Sequence, residues 1–239
     1  MYCLDLTLPT IAENLALDEA LLNDADAGLQ PHETLRLWHA TEPFIVLGRS
    51  SRVDDEVDRE FAERKGIPIF RRVSGGATIL ADRGCMFYGL LLSLERRPQL
   101  RMLDVAHQFV MSRLLSALQP HASQIQFDGT CDLVVSQRKV SGNSLRLVRN
   151  WMLYHGTLLL DMDFHNLDRV LRHPPREPDY RHGRPHSQFV ANLNLPAELI
   201  SRSLRSEWQA DEHQHDIPTD AVRRLVAEKY SQASWNFQR

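Results

Sequence analysis

Lysine is almost missing from this chain of 239 residues: Lys65, Lys139 and Lys229 stand beside 25 arginines. The chain has little cysteine too. Cys3, Cys85 and Cys131 form no CxxC pair and no disulfide framework, which fits a reducing, cytoplasmic setting. No apolar run approaches the roughly 18 residues that span a bilayer, and the first residues, MYCLDLTLPTIAENLALDE, lack the basic start of a signal peptide. A net charge of −3 gives no general attraction to nucleic acid or to acidic membranes, so neither is expected as a partner. The chain also lacks the nucleotide motifs GxGxxG and GxxxxGK followed by Ser or Thr. What remains is an ordinary globular composition, 43% hydrophobic and 25% charged, expected to fold around one dominant core.

The patterning predicts an amphipathic helix over residues 12–26, with Leu15, Leu17, Leu21 and Leu22 on one stripe and acids opposite. Short β-rich runs at 34–40 and 43–49 suggest a hairpin, and a polar helix over 54–65 is closed by Gly66. A strand at 67–72 leads into a Ser-Gly-Gly turn, and Gly84 divides 77–94 into strand pieces. Helical spacing is clearest over 103–118, ending before Pro120. An antiparallel meander is expected over 124–163, then a short helix at 165–173, a polar loop at 174–185 and helices at 197–208 and 219–234. Strands grouped together with helices flanking them define an α+β class.

Three segments carry the chemistry. In Arg71-Arg72-Val73-Ser74-Gly75-Gly76-Ala77, small residues let backbone N–H groups converge on an anion, and the two guanidiniums offer planar forks to a phosphate or carboxylate. An ordinary β-turn has the same composition. Lys139, between Arg138 and the turn Val140-Ser141-Gly142-Asn143, places a compact ammonium where a glycine permits close approach. Such a group can neutralise a phosphate and an acyl oxygen together; a solvated hairpin lysine is the plainer explanation. Asp132 could hold Mg²⁺, orient Lys139 or cap its strand. His155, in Tyr154-His155-Gly156-Thr157, could bind substrate, move a proton or be a satisfied structural group. No histidine lies near Cys131 or Cys85 in sequence, and buried cysteine is usually inert. The loop Arg181-His182-Gly183-Arg184-Pro185-His186 fits no zinc spacing and is expected at the surface, with a possible acceptor or phosphate contact.

Together these segments resemble the lipoate-protein ligases, within the biotin/lipoate ligase catalytic-domain superfamily. The resemblance covers residues 14–195. It rests on Asn14-Leu15-Ala16-Leu17-Asp18-Glu19, Val46-Leu47-Gly48-Arg49, the arginine-glycine loop through Thr78, Gly84-Cys85-Met86-Phe87-Tyr88, the run from Gly129 to Asp132 and on through Arg138-Lys139-Val140-Ser141-Gly142-Asn143-Ser144, and His155-Gly156-Thr157-Leu158-Leu159. The resemblance implies a mixed, largely antiparallel sheet flanked by helices, with a catalytic domain over 1–195 and a helical extension over 196–239 packed on it. It also implies activation of lipoate by MgATP to lipoyl-AMP, then transfer to a lysine of a lipoyl carrier domain of the glycine-cleavage H protein or 2-oxoacid dehydrogenase E2 type.

In that scheme Lys139 touches the carboxylate and α-phosphate, and Arg49, Arg71, Arg72, Ser74, Gly75, Gly76, Ala77 and Thr78 enclose the acyl chain and phosphate. Asp132 sits near the metal or nucleotide, while Ser141, Gly142, Asn143, His155, Gly156 and Thr157 complete the site. Ala77 as the third small residue of the loop, and Phe87 with Gly89 after Gly84, depart from the commoner pattern and leave acyl preference open. Only about 40 residues follow Leu195, where many ligases carry an accessory domain, so a separate accessory subunit is one expectation. An octanoyl or lipoyl transferase fed by a carrier-protein thioester is the nearest alternative, and a non-catalytic lipoate or adenylate sensor is the next. Biotin ligase is disfavoured because GRGRxGR is missing.

Overall fold

The computed structural model describes residues 1–238. Its first helix, α1 (Ile11–Asp26), opens with a capping box: the Thr10 hydroxyl accepts the Glu13 N–H, and the Glu13 carboxylate accepts the Thr10 N–H at 2.9 Å. Such caps contribute about 1 kcal/mol. The acids of α1 do not all face solvent as the stripe suggests. Asn14 and Asp18 are buried because Arg36 reaches under the helix, pairing with Asp18 and donating to the Asn14 backbone and side-chain oxygens at 2.8 Å each.

The strands are β1 (Tyr2–Asp5), β2 (Thr34–His39), β3 (Phe44–Leu47), β4 (Ile69–Arg71), β5 (Ile79–Ala81), β6 (Cys85–Ser93), β7 (Ile125–Asp128), β8 (Asp132–Val135), β9 (Arg138–Leu147), β10 (Trp151–Leu159) and β11 (Glu212–His213). Eight of them form one sheet in the order β11-β1-β2-β6-β10-β9-β8-β7, while β4-β3-β5 form a second. Strand β1 runs parallel to β2 and β11; the other pairings of the large sheet are antiparallel. The fold is therefore α+β with a mixed, largely antiparallel sheet, and the meander of β7 to β10 lies within the expected 124–163.

The expected hairpin between 34–40 and 43–49 does not form. Strand β2 pairs with β6, and β3 crosses to the second sheet to pair with β4 and β5. All four residues of β3, and all of β2 except His39, are buried, so each strand needs cover on both faces, which a two-stranded ribbon cannot give. The expected helix over 54–65 is two, α2 (Val53–Glu56) and α3 (Arg59–Arg64). Between them Val57 is buried and extended, bridging to Leu171, and Asp58 caps α3 by accepting the Phe61 N–H at 2.8 Å.

The remaining α-helices are α4 (Leu103–Leu118), α5 (Leu167–Val170), α6 (His186–Phe189), α7 (Ala197–Trp208), α8 (Thr219–Leu225) and α9 (Ala233–Asn236), and a π-helical turn (Val226–Tyr230) follows α8, so the helix expected over 219–234 is divided. Helices α4 and α7 pack together on one face of the large sheet, burying Val110, Leu114, Ile200, Leu204 and Trp208. Helix α1, the second sheet and α8 cover the other face, and between them lies the cavity. Among the described residues no helix is long and apolar enough to cross a membrane.

Candidate functional site

A cavity of about 170 Å³ opens between the two sheets. Its inner wall is apolar: Trp38 and Phe87 stack at 4.0 Å between ring centroids, with Leu15, Val46, Leu159 and Met162 around them. Its other end is polar, lined by Asp18, Arg72, Lys139, His155 and Arg181. An amphipathic molecule with an apolar tail and an anionic head suits this division.

The two arginines of the glycine loop are placed differently: Arg72 lines the cavity and Arg71 does not. Arg71 is fully buried and does not line the cavity. It donates through Nη1 to the Gly48 and Ser51 carbonyls at 2.8 and 2.7 Å, through Nε to Trp235 at 3.1 Å and through Nη2 to Asn236 at 3.1 Å. It is a strut that fastens α9 beneath the loop. Arg72 does reach the cavity wall, yet its donors go to the Ser74 hydroxyl and to the carbonyls of Val46, Gly75 and Ala77. Burial pulls its guanidinium down to about 10, with Glu56 opposing. The loop is thus shaped from within. Glycine is required at Gly48, where a Cβ would overlap the Gly76 carbonyl, and at Gly76, where φ is +87°.

Around that core the loop is tied at several points. Ser144 donates to the Gly75 carbonyl at 3.0 Å, and the buried Glu56 carboxylate accepts from both the Thr78 N–H and its hydroxyl, at 2.9 and 2.7 Å. Arg49 gives the loop its backbone N–H, donated to Ser74 at 2.8 Å, while its exposed side chain stays outside the cavity wall. The Ser74 hydroxyl lies 2.5 Å from His155 Nε2, and His155 Nδ1 lies 3.4 Å from Asp18 Oδ2. Burial raises the Asp18 carboxyl, but Arg36 and His155 outweigh it and hold the group below its usual value. A Ser–His–Asp–Arg chain therefore links the loop, β10, α1 and β2. Ser74 is 1% exposed, so this chain sets the shape of the polar end rather than presenting a nucleophile.

Lys139 does face the cavity, with Nζ 2.8 Å from Asp132 Oδ1. Its ammonium lies folded against Gly142, where a Cβ would come within 2.7 Å of Nζ. Asp132 accepts the Tyr180 hydroxyl at 2.8 Å on its other oxygen. An ammonium and a phenol thus occupy both carboxylate oxygens, and among the described residues no three metal-ligating side chains cluster. In this arrangement Asp132 holds the Lys139 ammonium in place.

Ser141 is wholly buried and, with Tyr88 and the Cys131 carbonyl, holds the Asn143 side chain. Gly156 leaves room for that amide, since a Cβ there would overlap it. Gly142, Asn143, Gly156 and Thr157 line the cavity; Ser141 supports them from behind.

No cysteine lines the cavity wall. Burial pushes the Cys131 thiol up to about 11, with Asp132 adding and Lys139 opposing, and pushes Cys85 up to about 12. Neither is poised as a thiolate at neutral pH. The sequence reading missed Asp18 as a site residue, along with Arg36, Glu56 and Tyr180; Arg181, expected in a surface loop with a phosphate contact, is instead buried in the cavity wall. Asp18 carried a signal, as an acid inside the apolar run from Leu15 to Leu22; the others gave none that separates them from surface charge.

An apolar cavity with a lysine in its wall suits a ligand that joins an acyl chain to an anionic group. The family model described as the lipoyl protein ligase A/B catalytic domain matches residues 10–207, and the chain belongs to that family. It is 26% identical to lipoate–protein ligase 1 of Staphylococcus aureus, over 98% of this chain and 72% of the relative. It is 25% identical to the octanoyltransferase LipM of Halalkalibacterium halodurans, over 95% of each chain. Among solved structures, the Thermoplasma acidophilum protein Ta0514 with bound lipoic acid superposes with a TM-score of 0.82 at 18% identity, covering 100% of this chain and 99% of that one. A bipartite lipoate protein ligase from Thermoplasma acidophilum, solved in a study with its E2 lipoyl domain, gives 0.82 at 19% identity over 99% and 95%. Lipoate-protein ligase A bound with ATP gives 0.77 at 19% identity over 99% of each chain.

Proposed function

We propose that this enzyme is a lipoate-protein ligase. In the first step a lipoate carboxylate oxygen attacks the α-phosphorus of ATP, the bond to the β-phosphate breaks, and lipoyl-AMP and pyrophosphate form. In the second a lysine amine of a lipoyl carrier domain attacks the acyl carbon, AMP leaves, and the nitrogen loses a proton to form the amide. The apolar wall around Trp38 and Phe87 holds the dithiolane tail, which brings the carboxylate to the polar end. There Lys139 exchanges Asp132 for the anionic oxygens and stabilises the charge that builds as the phosphorus is attacked. Asp132 and Tyr180 keep the ammonium directed while the site is empty of substrate. Magnesium arrives with the nucleotide as part of the substrate.

The observation that carries this reading is a lysine at the head of an apolar cavity that no cysteine lines. The bound lipoic acid, the bound ATP and the E2 lipoyl domain named for the structural relatives support the same assignment. The bipartite archaeal enzyme supports a separate accessory subunit as a further partner. Lipoate-dependent exchange of labelled pyrophosphate into ATP tests the first step; exchange independent of lipoate, or none with the accessory subunit supplied, contradicts it.

One observation favours a second reading. The octanoyltransferase LipM is about as similar to this chain as the staphylococcal ligase, at 25% against 26% identity. Transfer of an octanoyl group would then proceed by attack of a cysteine sulfur on the carrier-protein thioester, release of the carrier thiol and formation of an S-octanoyl-cysteine thioester. A stable acyl adduct on Cys131 after incubation with octanoyl carrier protein decides for that reading.

A further inference from the structure

Strand β9 breaks its own alternation where Lys139 stands. Asp132 pairs with Gly142 and Leu133 with Ser141, but Val134 pairs with Lys139, which leaves Val140 over as an extra residue. This is a β-bulge. Val140 and Ser141 are both wholly buried; Val140 belongs to the core on the α4 side of the sheet, and Ser141 bonds the Asn143 amide on that side. Lys139 and Gly142, three residues apart, then share the opposite face, that of the cavity, which regular alternation forbids. Without the extra residue Val140 would pair with Val134, and Lys139 would turn to the α4 side.

The bulge aims Lys139 only if it stays at Val140, and pairing register slips where nothing specifies it. The Asn143 side chain is placed to specify it. It lies on the α4 side against Met111, where its Nδ2 donates to the Cys131 carbonyl at 2.7 Å and to Ser141 Oγ at 3.2 Å, and its Oδ1 accepts the Tyr88 hydroxyl. The Cys131 carbonyl belongs to the peptide that leads into Asp132, so this amide ties β9 to β8 beside the carboxylate that holds Lys139. Tyr88 reaches the amide from β6 across Gly156 of β10, which pairs with both residues. On the other side of the bulge the Lys139 carbonyl accepts the Ala191 N–H at 2.8 Å. The extra residue is thus held between two fixed points.

We propose that Asn143 is a positioning residue for the reaction: it holds the bulge at Val140 and so keeps the Lys139 ammonium in the cavity beside Asp132. The proposal rests on the ligase reading above in one respect, that Lys139 acts in lipoyl-AMP formation. The backbone of Asn143 lines the cavity, while its side chain works from the opposite face through the strand.

The test combines spectroscopy of the lysines with kinetics of the full chain. Lysine labelled with carbon-13 at Cε gives three signals, one for each of Lys65, Lys139 and Lys229, and replacement of each lysine by arginine assigns them. In Asn143→Ala the Lys139 signal is expected to move to its position in Asp132→Asn, with the other two unmoved. Lipoate-dependent exchange of labelled pyrophosphate into ATP should fall about 10²-fold in kcat, the scale of a misplacement of about 1 Å, with KM for lipoate within about 2-fold of the parent. Tyr88→Phe keeps the bond to Cys131 and should move the Lys139 signal part of the way. Leu147→Ala removes packing from the same strand and face without touching the amide; it should lower the melting temperature and leave the Lys139 signal in place. A Lys139 signal unmoved in Asn143→Ala, or moved equally by Leu147→Ala, overturns the proposal in favour of a packing role. If the parent shows no lipoate-dependent exchange, the ligase reading fails and the lysine spectra alone decide the placement of Lys139; if the parent exchanges and Asn143→Ala exchanges at the same rate, only the positioning role fails.

Discussion

Arg71 and Arg72 turn their guanidiniums into the protein, where backbone carbonyls take up their donors, whereas Lys139 turns its ammonium outward to one carboxylate and the cavity. Both segments join adjacent basic residues to a turn that contains glycine, and by sequence either could be the anion site. Many simultaneous acceptors hold an arginine fast, while a single ion pair can be exchanged for a substrate. The other two lysines sharpen the contrast. Lys65 is exposed at the end of α3, and Lys229 is held by both oxygens of Glu19 at 2.7 and 2.9 Å.

Substitutions should therefore separate into loss of chemistry and loss of fold. Lys139→Ala is expected to lower lipoyl-AMP formation by about 10³-fold, as loss of a transition-state charge partner does, with an unchanged denaturation midpoint. Turnover within a few-fold of the parent removes Lys139 from the mechanism. Arg71→Met should do the reverse, destabilising the chain by about 3 kcal/mol because several buried carbonyls lose their donor; urea titration measures it. Gly142→Ala keeps Lys139 but crowds it, since the new Cβ comes within 2.7 Å of Nζ. Displacement of a reacting group by about 1 Å costs about 10²-fold in turnover, and a smaller loss would show that the ammonium finds its place without the glycine.

The smallest effect is expected at Cys131. Cys131→Ser should leave activity within about 2-fold, because a thiol pushed up to about 11 is almost wholly protonated near pH 7. The same thiol should alkylate about tenfold faster for each unit of pH as the medium approaches that value. An alkylation rate that levels off near neutral pH would reveal a thiolate and favour the transferase reading.

Much of this organisation was legible before the structure. The repeat over 103–118 matches α4 residue for residue, because it arises from local burial on one face, and β-rich runs separated by polar turns located the meander. Lys139 was legible through rarity. The pairing of β2 was not, since its partner β6 lies beyond the second sheet in sequence. Nor was the direction of Arg71, which bonds Asn236 across 165 residues. A guanidinium's acceptors are set by whatever backbone folds over it, and no local pattern encodes that. Asp18 and Arg36 were hidden for the same reason: each looks like surface charge until the other is brought to it. The Tyr180 and Arg181 contacts depend on a loop without periodicity, where spacing carries least.

The most direct test of the ligase assignment is the intact mass of a purified apo lipoyl domain after incubation with this enzyme. One sample receives ATP, magnesium chloride and lipoate, and a parallel one receives octanoyl carrier protein without ATP. A lipoyl mass gain in the first sample alone, lost when Lys139 is replaced by alanine, is the result predicted. An octanoyl gain in the second sample alone would contradict the assignment and make this enzyme an acyltransferase.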